Sequence, residues 1–307
     1  SRNKEWQGIP ILIKDNIDSL GLANTAGSLS MLDNFPRRDA NLVTKLKKSG
    51  FLVIGKANLS EWANFRGRNS VSGWSSYGGQ TRNPYNLDYN PCGSSSGSAA
   101  AVALGLVPVS IGTETNGSIT CPASINGVVG IKPTVGLVSR HGIIPISSTQ
   151  DTAGPMARNV YDAAVVLKTI SGKDPKDKAT SKIPSNFDFS GLVNLNSNFL
   201  KGKRIGLILP SDGDLEITFT LTDKAKEVFL RAGAEIVPIT LEPLPKNFWS
   251  SALFILEHEF FIGLNDYLRK SKSSMKNMQS IVDFNNANKK ETMSFYGQEY
   301  FLSSIAA

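Results

Sequence analysis

Residues 91–118 are PCGSSSGSAAAVALGLVPVSIGTETNGS, and this stretch decides the fold. Its alanine-rich part, Ser98 to Leu106, predicts a helix, and Val107 to Ile111 predicts the strand that follows it. One glycine- and serine-rich loop precedes the helix, and a second, residues 112–118, follows the strand directly. The sequence therefore places both loops at the ends of regular elements and not in a flexible linker.

The segments before this stretch also alternate between strand and helix. Ile9 to Ile13 is an apolar run of strand length, Asp39 to Lys48 has apolar residues at helical spacing, and Phe51 to Ile54 is again apolar. Such alternation is typical of helices packed on a largely parallel or mixed sheet. We therefore predict an α/β fold: an α/β/α sandwich with a central mixed β-sheet covered by helices.

The second half of the chain predicts one more strand–helix–strand unit. Residues 171–203 are rich in polar residues and proline and predict a surface excursion. Arg204 to Leu209 and Glu235 to Ile239 predict strands on either side of a helix that begins near Thr218. We interpret residues 204–307 as a continuation of the same sheet plus pocket helices. Residues 1–307 then form a single domain, with residues 8–170 as its core.

A helix predicted over Phe248 to Tyr267 is crowded with aromatic side chains. Such a face is more often plain core than a binding site, but it could also line an apolar pocket. The aromatic residues in question are Phe248, Trp249, Phe254, Phe260 and Phe261.

Composition excludes several classes of protein. The 307 residues are 40% hydrophobic and 19% charged, with a net charge of +7, and no apolar run approaches the length of a membrane span. The basic residues are scattered without interleaved aromatics, which favours a solvated surface over a nucleic-acid interface. We expect a monomer that binds neither membranes nor nucleic acids. No secretory signal is visible, which favours the cytoplasm, but the first residues enter a strand as though an earlier portion were missing.

Cysteine and histidine are too sparse to organise a site. Cys92 and Cys121 are too few for a disulfide framework or a zinc site, and we interpret them as unpaired packing residues. With His141 and His258 the only histidines, a cysteine–histidine pair has little support. We expect no metal and no organic cofactor.

Ser118 and Ser94 are the candidate hydroxyl groups of the two loops. Ser118 follows a glycine, which lets backbone N–H groups turn toward a bound carbonyl, although a serine here could instead cap the next helix. Ser94 lies in GSSSG, which also matches a nucleophile elbow centred on Ser95. An elbow needs a preceding strand and a later histidine, and Pro91 precedes this loop instead.

Lys14 is the candidate proton acceptor, because it ends the apolar run Ile11 to Ile13. Burial favours the neutral amine, which can take up a proton. The alternative is a lysine that extends to the surface and pairs with Asp15. Adjacent strand residues face opposite sides of a sheet, so Asp15 need not oppose a buried, neutral Lys14.

These segments resemble the amidase signature family, serine hydrolases with a Ser–Ser–Lys triad. The matching stretches run almost continuously from residue 8 to residue 158: GIPILIKDNID, TAGS, GKANLSEWANFR, GGQTRNPYN, PCGSSSGSAAAVA, IGTETNGSI, INGVVGIKPTVGLVSR, GIIPIS and QDTAGPMAR. WANFR and the GIIPIS–QDTAGPMAR pair favour the peptide amidase branch, which removes ammonia from the C-terminal carboxamide of peptides. Beyond residue 200 the resemblance is looser, with KGKRIG, RAGAEIVP and GQEY in the same order.

The resemblance implies roles for individual residues. Ser118 would be the nucleophile, Ser94 the bridging serine with a cis bond to Gly93, and Lys14 the base. Ser95 would help to hold Lys14. The oxyanion hole would be formed by backbone N–H groups, and two further residues would support the site. The hole residues are Thr115, Asn116, Gly117 and Ser118; the supporting residues are Asp151 and Arg158.

The chain departs from the family pattern at several places. Asn116 stands where relatives carry Asp or Gly, and Thr120 replaces an Arg, which disfavours subgroups that bind substrate through that arginine. Helices before the lysine strand and further elements after GQEY are absent, so we expect a fragment truncated at both ends.

A carboxamide hydrolase is the favoured function. The alternatives are a catalytically silent binding protein on the same scaffold and an amidotransferase-type glutaminase subunit.

Overall fold

The computed structural model describes residues 4–194, 198–210 and 213–307. Within these ranges no helix is both long and apolar enough to cross a membrane. The strands are β1 Pro10–Lys14, β2 Leu52–Ala57, β3 Trp74–Ser75, β4 Gly79–Gln80, β5 Val109–Glu114, β6 Val129–Gly130, β7 Thr152–Ala157, β8 Arg204–Ile208 and β9 Glu235–Ile239. The α-helices are α1 Asn41–Ser49, α2 Ser96–Ala103, α3 Thr120–Ile125, α4 Val160–Ile170, α5 Glu216–Arg231, α6 Phe248–Lys270, α7 Met278–Ala287, α8 Lys289–Thr292 and α9 Glu299–Ala306.

The central sheet has the strand order β2-β1-β5-β7-β6. Strand β1 is parallel to both β2 and β5, whereas β7 is antiparallel to β5 and to β6. The sheet is therefore mixed. Because β1 lies in its interior, a side chain at the end of β1 is surrounded by the ends of its neighbours. The prediction of a mixed α/β fold is confirmed.

Both faces of the central sheet are covered by helices. On one face Ile11 and Ile13 belong to the main core with residues of α1 and α4. On the opposite face Leu12 packs against Ala101 and Val102 of α2. Because successive side chains of β1 point to opposite faces of the sheet, this strand packs against helices on both faces. Helix α2 lies close to the sheet because Gly97 has no side chain: a Cβ there would stand 2.5 Å from the carbonyl oxygen of Asn58.

A second core is built around α6, α7 and α9. Phe260 and Leu264 of α6 are buried in it with Phe301 of α9 and with Trp62. The rings of Trp62 and Phe301 meet edge to face with centroids 5.4 Å apart. This core anchors α6, whose other residues reach the cavity described below.

Residues 194–251 form a separate compact unit, and residues 1–193 with 252–307 form the other. Strands β8 and β9 were predicted to continue the central sheet. That prediction is wrong, because β8 and β9 form a two-stranded parallel sheet of their own. The assignment of residues 1–307 to a single domain stays a prediction.

The predicted surface excursion, residues 171–203, is packed in its first part. Asp174, Asp177 and Thr180 are buried. Asp177 accepts hydrogen bonds from the guanidinium of Arg140, with an Nη2 to Oδ1 distance of 2.7 Å. Polar composition predicted a surface segment, but these polar side chains are buried because they form hydrogen bonds inside the fold.

Candidate active site

Lys14 is the last residue of β1, and its side chain is fully buried. Its Nζ lies 2.7 Å from Ser94 Oγ, 2.8 Å from Thr113 Oγ1 and 3.1 Å from the Thr113 carbonyl oxygen. Thr113 is brought there by β5, which pairs with β1 in parallel register. The amine is thus held by three oxygen atoms from two other segments.

Burial lowers the pKa of Lys14 from 10.5 to about 7, although the negative charges of Asp151 and Glu114 oppose the change. The charged ammonium loses its hydration in this interior, which favours the neutral amine. Asp15 turns to the other side and pairs with Lys56, with 3.0 Å between Nζ and Oδ1. The alternative in which Lys14 reaches the surface beside Asp15 is therefore wrong.

Ser94 precedes α2 and is fully buried, and its bond to Gly93 is cis, as the family resemblance implied. Within the described part of the chain, Ser95 forms no hydrogen bond to Lys14. Its Oγ donates to the Thr113 carbonyl at 3.0 Å and accepts from the Thr113 amide at 3.2 Å. Ser95 therefore acts on Lys14 only through Thr113. With its hydroxyl committed to the backbone of β5, Ser95 does not fit the nucleophile-elbow alternative.

Ser118 lies in the loop between β5 and α3, a loop held by Glu114. The Glu114 carboxylate accepts from the amides of Gly117 at 2.8 Å, Ile119 at 2.7 Å and Thr120 at 2.8 Å. Gly117 supports the tight turn with a φ of 79°. Thr120, which replaces the arginine of relatives, also turns its hydroxyl to Glu114. One buried acid thus fixes the backbone around Ser118.

This arrangement affects the predicted oxyanion hole. The amide of Gly117 donates to the Glu114 carboxylate and is therefore not free to hold an oxyanion. Within the described residues, the amides of Asn116 and Ser118 have no hydrogen-bond acceptor. Backbone donors are therefore available in the predicted loop, but not at each of its predicted positions.

Ser94 and Ser118 both face one cavity. The two segments are joined by a backbone hydrogen bond, from the Ser95 amide to the Ser118 carbonyl, at 3.1 Å. Across the described ranges, no hydrogen bond connects the two side-chain hydroxyls directly. The structure brings the predicted residues to one place, with Lys14 and Ser94 in contact and Ser118 beside them.

The two predicted supporting residues have different positions. Asp151 lies at the end of β7 next to the Ser118 loop, and its carboxylate accepts from Thr115 Oγ1 at 2.5 Å and the Ile146 amide at 2.7 Å. Burial raises the pKa of Asp151, and these hydrogen bonds oppose that rise. Arg158 follows the other end of β7 and is exposed, roughly 20 Å away along the strand. The structure does not bring Arg158 to this site.

Cys92 and Cys121 form a disulfide with 5.9 Å between their Cα atoms. Their interpretation as unpaired packing residues is wrong. Cys92 stands just before Ser94, and Cys121 lies in the first turn of α3, just after Ser118. The bridge therefore ties together the two loops that carry the candidate serines. It also removes both thiols from consideration as nucleophiles.

The cavity has a volume of about 390 Å³ and lies entirely within residues 16–272 of the larger unit. Helix α6 supplies part of its wall through Gly263, Asp266 and Tyr267. None of the aromatic residues suggested from the sequence lines it. Phe260 is buried in the core, and the remaining four are at least 36% exposed.

Sequence reasoning missed Thr113, Glu114 and Asn16. Asn16 donates from Nδ2 to Thr113 Oγ1 at 2.9 Å, so it holds the residue that holds Lys14. Their positions in the sequence could have identified them as residues of the site. Asn16 stands two residues after Lys14, and Thr113 and Glu114 end the strand that leads into the Ser118 loop. Polar residues at the ends of adjacent strands meet at one edge of a sheet.

Comparison with known proteins gives consistent results. A model of the amidase family matches residues 3–302. A probable amidase of Arabidopsis thaliana is 42% identical over 308 residues, covering 97% of this chain and 59% of that protein. The X-ray structure of native peptide amidase from Stenotrophomonas maltophilia matches with a TM-score of 0.94 at 48% identity, covering 99% of this chain and 62% of that one. A glutamyl-tRNA(Gln) amidotransferase component from Thermotoga maritima matches with a TM-score of 0.70 at 30% identity, covering 100% of this chain and 64% of that one.

The chain spans about three fifths of the length of these relatives, 59% of the Arabidopsis protein and 62% of the Stenotrophomonas chain. All the residues that surround Lys14, Ser94 and Ser118 lie within the matched region. The comparison therefore covers the whole of the site described here.

Proposed function

The chain belongs to the amidase signature family, and we propose that it hydrolyses carboxamides, cleaving the C-terminal amide of peptides and releasing ammonia. The observation that carries this proposal is the contact between the buried Lys14 amine and Ser94 Oγ, 2.7 Å apart, in a cavity that Ser118 also lines. A buried amine with a pKa of about 7 is suited to accept a proton near neutral pH.

The contacts of Lys14 suit a proton relay. A neutral amine has two N–H groups and one lone pair. Its N–H groups would donate to the carbonyl and hydroxyl oxygens of Thr113, which leaves the lone pair facing the Ser94 hydroxyl. Ser94 can then pass its proton to Lys14 as it receives one from Ser118. The relay requires the Ser94 and Ser118 hydroxyls to close on each other when substrate binds, a tightening common at catalytic sites.

In the proposed reaction Ser118 Oγ attacks the amide carbonyl carbon and loses its proton through Ser94 to Lys14. The proton returns along the same path to the amide nitrogen, the C–N bond breaks, and ammonia leaves. Water then attacks the acyl-serine ester and frees the acid. Backbone amides of Thr115, Asn116 and Ser118 would stabilise the oxyanion. We omit Gly117 from that role because its amide donates to Glu114.

Of the two alternative functions, only the glutaminase has support from the comparisons. The match to an amidotransferase component keeps a glutaminase under consideration, although its TM-score of 0.70 is lower than the 0.94 of peptide amidase. A silent binding protein on the same scaffold would not need a buried amine beside a serine. The contact between Lys14 and Ser94 supports an enzyme instead.

Ammonia release separates these functions. The purified protein is incubated with a dipeptide amide, the matching dipeptide free acid and glutamine. We expect ammonia from the dipeptide amide and none from the free acid, which has no amide nitrogen to lose. Ammonia from glutamine alone would support the glutaminase, and none from any substrate with folded protein would contradict both enzyme functions.

Matched serine variants identify the source of activity. Ser118→Ala should lower kcat/KM by about a thousandfold or more, as loss of a catalytic nucleophile does. Ser181→Ala, at an exposed position that does not line the cavity, should leave it unchanged. Equal activity of the Ser118→Ala and Ser181→Ala proteins would rule out the proposed nucleophile.

A further inference from the structure

Four exposed basic side chains, Arg37, Arg38, Lys176 and Lys272, surround the mouth of the cavity, and we call them the basic rim. They come from three segments: the loop before α1, the loop after α4 and the turn after α6. None of them forms an ion pair within the described part of the chain. Segments distant in sequence thus place unpaired positive charge at one opening.

Most acidic residues that line the same cavity already have partners. Asp177 pairs with Arg140, with 2.7 Å between Oδ1 and Nη2. Asp266 pairs with Lys270 at 2.5 Å. These two carboxylates are therefore not available to neutralise the rim.

Glu114 and Asp151 are also committed, since Glu114 accepts hydrogen bonds from backbone amides beside Ser118 and Asp151 accepts from two backbone amides in the segment before β7. Their charges lie deep in the cavity and act on Lys14.

Asp18 is the remaining acid of the cavity wall. Its Oδ1 accepts from Asn24 at 2.6 Å and from Tyr267 at 2.8 Å, and Arg38 lies within electrostatic reach of it. One partly buried carboxylate therefore faces four exposed cations, and the mouth keeps a positive surplus.

Size determines which part of a substrate meets the rim. A cavity of about 390 Å³ lies at the lower end of the range for ligand pockets, so a peptide amide whose carboxamide reaches Ser118 would extend toward the opening as it lengthens. In this proposal the next residue toward the N-terminus of the peptide lies at the mouth. Its side chain would be exposed to the field of the rim.

Resting on the function proposed above, we propose that the basic rim makes this protein select peptide amides that carry a carboxylate side chain next to the terminal, amidated residue. Opposite charges attract the substrate during diffusion and in the bound complex. Each exposed cation several ångströms away should favour a carboxylate over an ammonium at that position by about twofold, so four cations opposed by Asp18 should give roughly tenfold between the two side chains. The same field disfavours a lysine at that position.

The test compares kcat/KM for N-acetyl-Glu-Phe-amide, N-acetyl-Gln-Phe-amide and N-acetyl-Lys-Phe-amide by ammonia release. At low ionic strength the order should be Glu, then Gln, then Lys, with roughly tenfold between the first and the last. At about 0.5 M salt the three rates should converge, because exposed charges are screened within a few ångströms. Equal rates for the three peptides at low salt would overturn the proposal.

A matched pair of double variants shows where the preference comes from. Arg37→Gln with Arg38→Gln removes two positive charges from the rim, and the ratio of Glu to Lys rates should fall about fourfold while the Gln peptide changes little. Lys289→Gln with Lys290→Gln removes two exposed charges from α8, which does not line the cavity, and should leave the ratio unchanged. An equal effect of both pairs would assign the preference to net charge and contradict a rim.

A binding measurement distinguishes failure of the proposed function from failure of the basic rim. If none of the three peptides releases ammonia, the rim is tested by calorimetric binding of the same peptides to the unmodified protein and to the Arg37→Gln, Arg38→Gln variant. The rim predicts tighter binding of the Glu peptide than of the Lys peptide, and a smaller difference in the variant. Equal or undetectable binding of both peptides would overturn the rim as well.

Discussion

Lys14 Nζ lies 2.8 Å from Thr113 Oγ1 and 3.1 Å from the Thr113 carbonyl oxygen, so a single residue supplies two of its three polar contacts. Asn16 holds the same hydroxyl from the other side at 2.9 Å. Thr113 thereby fixes the direction of the amine toward Ser94. The orientation of the proposed base depends on a residue that takes no part in the proton relay itself.

Replacement of Thr113 by valine should therefore impair activity while Lys14 and both serines remain. Valine has the same shape but offers no side-chain oxygen to Lys14, which keeps only the contact with the backbone carbonyl, and it leaves the Asn16 amide without its acceptor. An unsatisfied buried polar group costs about 1–3 kcal/mol, which corresponds to roughly 5- to 150-fold in kcat/KM if it misplaces the amine. Thr113→Ser keeps the hydroxyl and should retain most activity. Equal kcat/KM for the valine and serine variants would contradict this role.

The pH dependence of kcat/KM should report the protonation of Lys14. Burial lowers its pKa to about 7, and only the neutral amine can accept a proton, so activity should rise as pH increases through this value and level off above it. Below it, kcat/KM should fall about tenfold per pH unit. Lys14→Arg should be inactive at every pH, because a guanidinium stays protonated.

His141 also lines the cavity and provides the necessary control for this profile. Burial lowers the pKa of His141 from 6.5, with Lys176 acting in the same direction. If Lys14 is the titrating group, His141→Gln should leave the midpoint near pH 7. Loss of the pH dependence in that variant would assign it to the imidazole instead.

The disulfide between Cys92 and Cys121 should contribute to stability, because it closes a loop of 29 residues that includes α2 and β5. Loop-closure entropy for this separation corresponds to about 3–4 kcal/mol. The double variant Cys92→Ser, Cys121→Ser should therefore unfold at clearly lower urea concentration than the oxidised protein. A reducing agent should lower the midpoint of the wild type and leave that of the double variant unchanged; the same midpoint for all samples would mean that the bridge does not stabilise the fold.

The buried pair of Arg66 and Glu61 connects distant parts of the chain. Both side chains are fully buried, with 2.5 Å between Nη1 and Oε1. The guanidinium also donates to the carbonyl oxygens of Thr292 at 2.7 Å and Tyr296 at 3.1 Å. Arg66 therefore links the segment before β3 to the segment between α8 and α9.

Replacement of Arg66 by methionine should lower the free energy of unfolding by about 3–5 kcal/mol, because it leaves the Glu61 carboxylate buried without its partner. Burial already raises the pKa of Glu61 while the charge of Arg66 opposes that rise. Adding Glu61→Gln should recover part of the loss. Urea unfolding of the single and double variants measures both effects, and a double variant less stable than Arg66→Met would show that the charge of Glu61 is not the cause.

Helices and strands could be predicted from the sequence wherever a local pattern of apolar residues determines them. The apolar run before Lys14 predicted a buried strand, and β1 ends at that lysine. The alanine-rich segment predicted α2, and the run after it predicted β5. Strands and loops of this kind are set by the period of apolar residues and by glycine.

Features that depend on contact between distant segments were missed. The pairing of Cys92 with Cys121 requires their Cα atoms to lie 5.9 Å apart, which no spacing in the sequence reveals. The separate sheet of β8 and β9 likewise depends on which strand edges meet. Arg158 was assigned to the site by resemblance alone, and the length of β7 places it at the far end.

The central claim is that Ser118 is the nucleophile and that Lys14, through Ser94, activates it. Reaction with a fluorophosphonate, followed by mass spectrometry of the digested protein, tests it most directly. We predict one labelled peptide with the modification on Ser118, no label in Ser118→Ala, and labelling slowed at least about a hundredfold in Lys14→Ala. Modification of Ser94 or of another serine in folded protein, or equal labelling of the wild type and Lys14→Ala, would contradict the account.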